Sequence, residues 1–193
     1  MKSETSAGPT RARILDVAER LAQMRGFNGF SYADIASELG VTKATLHYHF
    51  AGKAELGEAL IRRYNDRFGE ALAAIAGSAD PAPALLASYA ELYADVLRGS
   101  RMCLCGMLAA EFETLPDSMR AAVTGFFDEN ELWLTRVLDQ GRRDGTLAFT
   151  GAAADVARAI IDGLEGAMLV AHAYHDVTRF EASATRLLEG LAK

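Results

Sequence analysis

The chain has 193 residues, half of them hydrophobic, and a formal net charge of −6 from 20 Lys and Arg against 26 Asp and Glu. That is enough apolar side chain to bury a core, which excludes a disordered polyelectrolyte. No apolar run approaches the roughly 18 residues of a membrane span, the segment MKSETSAGPTRAR carries no secretory apolar stretch, and two cysteines make no disulfide framework, so a reducing cytoplasm is the expected setting.

Counts of 36 Ala and 23 Leu against 8 Val and 6 Ile favour helix over strand throughout, so the expected fold class is all-α. Charge is uneven along the chain. Residues 1–67 carry ten basic and eight acidic side chains, a net of +2, and residues 68–193 carry ten and eighteen, a net of −8. A mildly basic N-terminal third on an acidic body points to one localised anionic partner and away from general coating of nucleic acid.

In chain order, residues 1–9 read as a frayed polar arm ending in Pro9. A helix is then predicted over 10–25, with Thr10 as N-cap and a stripe of Ile14, Leu15, Ala18, Leu21 and Ala22. Gly26 stops it. Ser31 and Asp34 form a capping-box pattern for a short helix ending at Leu39, and Gly40 terminates that one. Thr42 caps a third helix running to Phe50, followed by the breaking pair Ala51-Gly52. Longer helices are predicted over 53–76, 82–98, 101–113, 117–142, 151–175 and 178–191. The pattern divides the chain into a three-helix head, residues 1–52, and a larger helical body, residues 53–193, with about nine helices in all.

The stretch YADIASELGVTKATLHYHFAGKAEL, Tyr32 to Leu56, matches a helix-turn-helix: a short helix, a Gly-containing turn and a second helix. Ile35, Ala36 and Leu39 supply the inner face of the first helix, and Val41, Leu46 and Phe50 that of the second. Thr42, Lys43, Thr45, His47, Tyr48 and His49 are left for the outside. A DNA major groove about 12 Å wide admits one helix whose N-terminal residues meet base edges, the end that Thr42 and Lys43 occupy. His47, Tyr48 and His49 offer hydrogen bonds to phosphate or sugar, and Lys53 adds a cation for the backbone. With Ser31, Tyr32 and Ala44 these residues make the candidate DNA-contacting set.

On these residues the segment 10–56 resembles the N-terminal domain of the TetR family of one-component transcriptional regulators. The family's pattern is matched by Ile35-Ala36, Gly40-Val41-Thr42-Lys43, Tyr48-His49-Phe50 and Lys53. Two positions depart from it. Ala44 stands where the family commonly has Gly, and His47 where it usually has Tyr; an imidazole still reaches a phosphate, over a shorter distance. The resemblance implies a homodimer on operator double-stranded DNA, joined through the last two helices. It also implies a small-molecule effector held in the body.

For the interface, Ala159, Gly163, Gly166 and Ala167 would let backbones approach, tight packing offsetting the cost of glycine in a helix. For the effector, the candidate lining is Tyr89, Tyr93, Met102, Met107, Phe112, Phe126, Phe127, Trp133, Met168 and His172, an apolar and partly aromatic set, with Glu111 as a further polar group. The expected function is therefore a ligand-responsive regulator, most simply a repressor, released by a largely apolar effector. An alternative is an oxidant- or electrophile-sensing repressor working through Cys103 or Cys105, beside Arg101. A small helical enzyme or a protein-binding adaptor are the remaining alternatives. No catalytic motif, phosphate loop or dinucleotide fingerprint is present, so no catalytic residue, cofactor or membrane partner is expected. No metal site is expected either: His47 and His49 diverge on their helix, and His172, His175 and Asp176 read as a solvated helix end.

Overall fold

The structure, a computed structural model, describes residues 7–192. Among these there are nine α-helices and no strand, which is the all-α class expected: α1 Ala7–Arg25, α2 Tyr32–Leu39, α3 Lys43–His49, α4 Lys53–Ala76, α5 Ala82–Arg98, α6 Leu104–Ala110, α7 Asp117–Asp144, α8 Ala153–Tyr174 and α9 Val177–Glu189. None is long and apolar enough to cross a membrane. Packing divides the chain into two compact units, one of residues up to Asn65 with Leu104–Val123, the other of Asp66–Cys103 with residues from Thr124 onward. The break expected after residue 52 falls inside the first unit, because Leu56, Ala59, Leu60 and Ile61 of α4 are buried core residues.

Two predicted boundaries move. Helix α1 starts at Ala7 and takes in Pro9, since a proline in the first turn lacks only an N–H that would have no partner there. The rest of the expected arm, residues 1–6, lies outside the described residues. The helix predicted over 101–113 shrinks to α6 and a separate one-turn 3-10 helix, Phe112–Thr114. At its start, the N–H groups of Ser100 and Arg101 close the end of α5 by donating to Leu97 O (2.8 Å) and Val96 O (3.2 Å). With Ser100 in the left-handed region, φ 55°, the chain leaves α5 before it can begin α6.

In the first unit α1, α2 and α3 pack around Ile14, Leu15, Ala18, Leu21, Ile35, Ala36, Leu46 and Phe50, all buried. Leu39 and Val41, predicted for the same face, are half-buried. Arg63 of α4 ties this head down, pairing with Asp16 at 2.7 Å and with the buried Glu19 at 2.8 Å. In the second unit α8 packs on α9 and α5, and the core is aromatic.

Glycines in two helices test this packing with opposite signs. A Cβ on Gly141 of α7 would lie 2.5 Å from Leu147 Cδ1 and 2.6 Å from Ala82 Cβ, whereas one on Gly69 of α4 meets nothing within 4 Å. Gly69→Ala is therefore expected to stabilise the protein by up to about 1 kcal/mol through helix propensity. Gly141→Ala should destabilise it by about 1–3 kcal/mol through overpacking. Urea unfolding of the two variants reads both values.

Candidate nucleic-acid interface

The geometry of the helix-turn-helix follows from short-range bonds. Ser31 caps α2 by accepting from Ala33 N (3.2 Å), while Asp34 accepts from Ser31 N (2.7 Å) and from its hydroxyl (2.6 Å). The Ser31 hydrogen bonds hold the Asp34 carboxyl below its ordinary pKa. Gly40 takes the left-handed φ of 65° that ends α2, a conformation glycine adopts without strain. Thr42 then caps α3, accepting from Thr45 N at 3.2 Å, with the two hydroxyls 3.0 Å apart. Phe50 closes α3 as its C-cap, donating from N to Leu46 O at 2.8 Å.

This arrangement buries Leu46 and turns the polar side of α3 outward. Lys43, Ala44, His47 and Tyr48 are exposed, and Thr45 and His49 are partly so. Tyr48 is 79% exposed, its ring edge-on to His49 at 5.1 Å. The ring stands on the outward side of α3 with the exposed Lys43 and His47, where a binding partner could reach it. His47 is oriented from two sides: Nδ1 lies 3.2 Å from Ala51 O, and its ring sits 4.9 Å from that of Tyr32.

Two of the predicted DNA-contacting residues are engaged inside the protein. Tyr32 donates its hydroxyl to Phe50 O at 3.1 Å; burial, and then the nearby Glu55 charge, push its pKa up to about 12. Lys53 turns inward over the α1–α2 turn, donating from Nζ to Phe27 O and Phe30 O. Its ammonium also lies 4.7 Å and 4.4 Å from the two ring centroids, and burial is the main cause of its lowered pKa. Two of its three donors are thereby held internally, because the turn's carbonyls have no helical partner. Arg11, outside the predicted set, stacks its guanidinium 4.8 Å over the Phe50 ring beside the end of α3.

Glu111, read from sequence as a polar group near an effector, has a different place. Its carboxylate accepts from Phe27 N at 2.6 Å and from Asn28 N at 3.2 Å, and Asn28 Nδ2 donates to Thr114 Oγ1 at 2.7 Å. The turn after α1 is thus clamped on its N–H groups by Glu111 and on its carbonyls by Lys53. Gly26 permits the clamp, since at φ +80° a Cβ would stand 2.7 Å from Glu111 Oε1.

The predicted effector-lining residues separate. Met107 and Phe112 belong to the first unit, and the others to the second. There Tyr89 stacks on Trp133 at 5.5 Å, and Phe68 meets Tyr89 and Tyr93 at 6.1 Å and Phe126 at 5.1 Å. The polar tips in this cluster are bonded: Tyr89 donates to Asn130 Oδ1 at 3.0 Å and Trp133 Nε1 to Leu72 O at 3.2 Å. Phe127 lies half-buried at its edge. Met102 and Met168 are buried, Met168 Sδ accepting from Cys103 N at 3.3 Å. His172 lies half-buried near the end of α8. Asp176 caps α9 by accepting from Thr178 N at 3.0 Å. Cys103 and Cys105 are buried and form no disulfide, so neither presents an open thiol.

A capped helix-turn-helix with an outward polar row defines a DNA-binding regulator, and comparison with known proteins agrees. Residues 14–60 match the sequence model for bacterial regulatory proteins of the tetR family, and residues 83–187 that for the tetracyclin repressor-like C-terminal domain. The chain belongs to the TetR family of transcriptional regulators, which are DNA-binding proteins and not enzymes. A TetR-family regulator of Agrobacterium tumefaciens superposes with a TM-score of 0.94 at 29% identity, over 97% of this chain and 100% of that one. A TetR regulator of Legionella pneumophila gives 0.84 at 29% identity, over 99% and 100%. The transcriptional repressor NemR of Escherichia coli is 27% identical over 148 residues, 74% of this chain and 73% of that protein. The regulator TtgR of Pseudomonas putida is 42% identical over 60 residues, 31% of this chain but only 29% of the length of that relative.

Proposed function

We propose that the protein is a ligand-responsive repressor that holds operator DNA as a homodimer and lets go when a small, largely apolar effector binds its body. Residues 1–52 would recognise DNA, and residues 53–193 would carry the effector and the dimer contact. The observation that carries this reading is the outward row of α3, above all the exposed ring of Tyr48 beside Lys43. Ser31 and Tyr32 support the interface from within, by capping α2 and bonding the end of α3. Exposed apolar side chains on α8 support the dimer: Leu169 is 60% exposed and Val170 48%, at a shallow groove that contains Gly166 and Val170. Gly163 serves the protomer itself, since a Cβ there would meet Leu187 Cδ2 of α9 at 2.9 Å. Two heads must reach successive major-groove faces about 34–36 Å apart, which calls for two copies.

The test is binding to the DNA upstream of the protein's own gene. Lys43→Ala with Tyr48→Ala is expected to weaken sequence-selective binding at least about 30-fold, each lost base or phosphate contact costing on the order of 1 kcal/mol. The parent should bind more weakly as salt rises, through release of counterions. Unchanged selectivity in the double variant, or a monomer by sedimentation at micromolar concentration, would overturn the reading.

A further inference from the structure

One buried carboxyl in the second unit has no folding partner that explains it. Glu165 lies on α8 between the helix's buried positions Leu164 and Met168. Its Oε1 is buried and accepts no hydrogen bond, while the residue as a whole keeps some accessible surface. The Cys103 thiol donates to the carboxyl, and burial pushes its pKa up to about 7. The hydroxyls of Tyr89 and Tyr93, deep in the aromatic cluster, lie within the field of both Glu165 and Cys103. Among the described residues no donor, charged or neutral, reaches Oε1. A buried acceptor that lacks a donor is costly, and the electron-rich faces of neighbouring rings favour a positive charge.

Resting on the reading that the body holds an effector, we propose that Glu165 is the polar anchor of that site, and that the effector is an apolar molecule bearing a protonated amine. The ammonium would donate to Oε1 and keep the carboxyl ionised, while the apolar part packs against the aromatic and methionine side chains nearby. Charge-assisted pairing of this kind inside a low-dielectric site discriminates strongly against neutral or anionic analogues of equal size.

The experiment uses the full chain without DNA. Melting temperature is followed at pH 7 with hexylamine and phenethylamine, with the matched alcohols, and with hexanoate and phenylacetate, for the parent and for Glu165→Gln. Amines are expected to raise the melting temperature of the parent by roughly 3 °C once present at about ten times their Kd, and the analogues to leave it unmoved. Glu165→Gln should fold, as read by far-UV circular dichroism, and lose the amine response. An equal response to alcohols or carboxylates overturns the assignment and leaves effector binding standing, as does an amine response that survives in Glu165→Gln. Silence from all three sets removes both the anchor and the effector reading. Should Glu165→Gln not fold, the analogue comparison in the parent decides alone.

Discussion

Glu111→Ala is expected to cost about 3 kcal/mol of stability. The carboxylate accepts from Phe27 N at 2.6 Å and from Asn28 N at 3.2 Å. Hydrogen bonds to a charged acceptor contribute about 1.5–3 kcal/mol each, and the half-buried Phe27 N–H would be left without an acceptor. Glu111→Gln keeps an acceptor of similar shape and should lose only about 1 kcal/mol. Lys53 acts on the carbonyls of the same turn. The losses from Glu111→Ala and Lys53→Ala are therefore expected to be non-additive, with a coupling of about 1 kcal/mol in a double-mutant cycle. Operator affinity should fall alongside, because this turn leads directly into α2. Guanidinium unfolding of the four proteins in the cycle checks the first claim, and strict additivity would show that the two side chains do not hold one turn together.

The second large effect depends on pH. In the folded chain burial pushes the Glu165 pKa up to about 7 from an ordinary 4.5. The folded state therefore holds this proton more tightly than the unfolded state does. Below pH 4.5 both states are protonated and the group is neutral in its effect. As pH rises from 4.5 to 7 the unfolded chain releases its proton first, and stability falls until both states are ionised. The total loss is about 3 kcal/mol at pH 8, from about 1.4 kcal/mol for each pH unit between the two values. Glu165→Gln removes this slope. Its stability advantage over the parent should be small near pH 4.5 and grow to about 3 kcal/mol by pH 8. Taking the difference between the two proteins cancels the other carboxylates, and a difference that stays flat from pH 5 to 8 would contradict the buried carboxyl.

These two residues also mark the limit of what could be read without coordinates. The caps of α2 and α3, the stop at Gly40 and the outward row of α3 were all legible, because each rests on residues within four positions of one another or on helical periodicity. The family pattern lies in that same stretch for the same reason. Lys53 is different: its sequence position suggests a phosphate contact, yet its ammonium is drawn to carbonyls 23 and 26 residues away. Glu111 meets a backbone N–H 84 positions distant, and no local signal distinguishes that from a place beside an effector. The residues grouped as one effector lining share only their apolar character, and packing assigns Met107 and Phe112 to a different unit from Tyr89 and Trp133. Glu165 did leave a trace, as the one acid four residues after Ile161 and three before Met168 on an otherwise apolar face of α8.

By itself the amino-acid order determined the helical class, the helix-turn-helix and the identity of the surface that faces outward on α3, since propensity, capping and periodicity act over a few residues. Only the tertiary structure decided which charges clamp the α1–α2 turn and which carboxylate oxygen is left buried without a donor, because those contacts are made between segments that chain separation alone does not bring together.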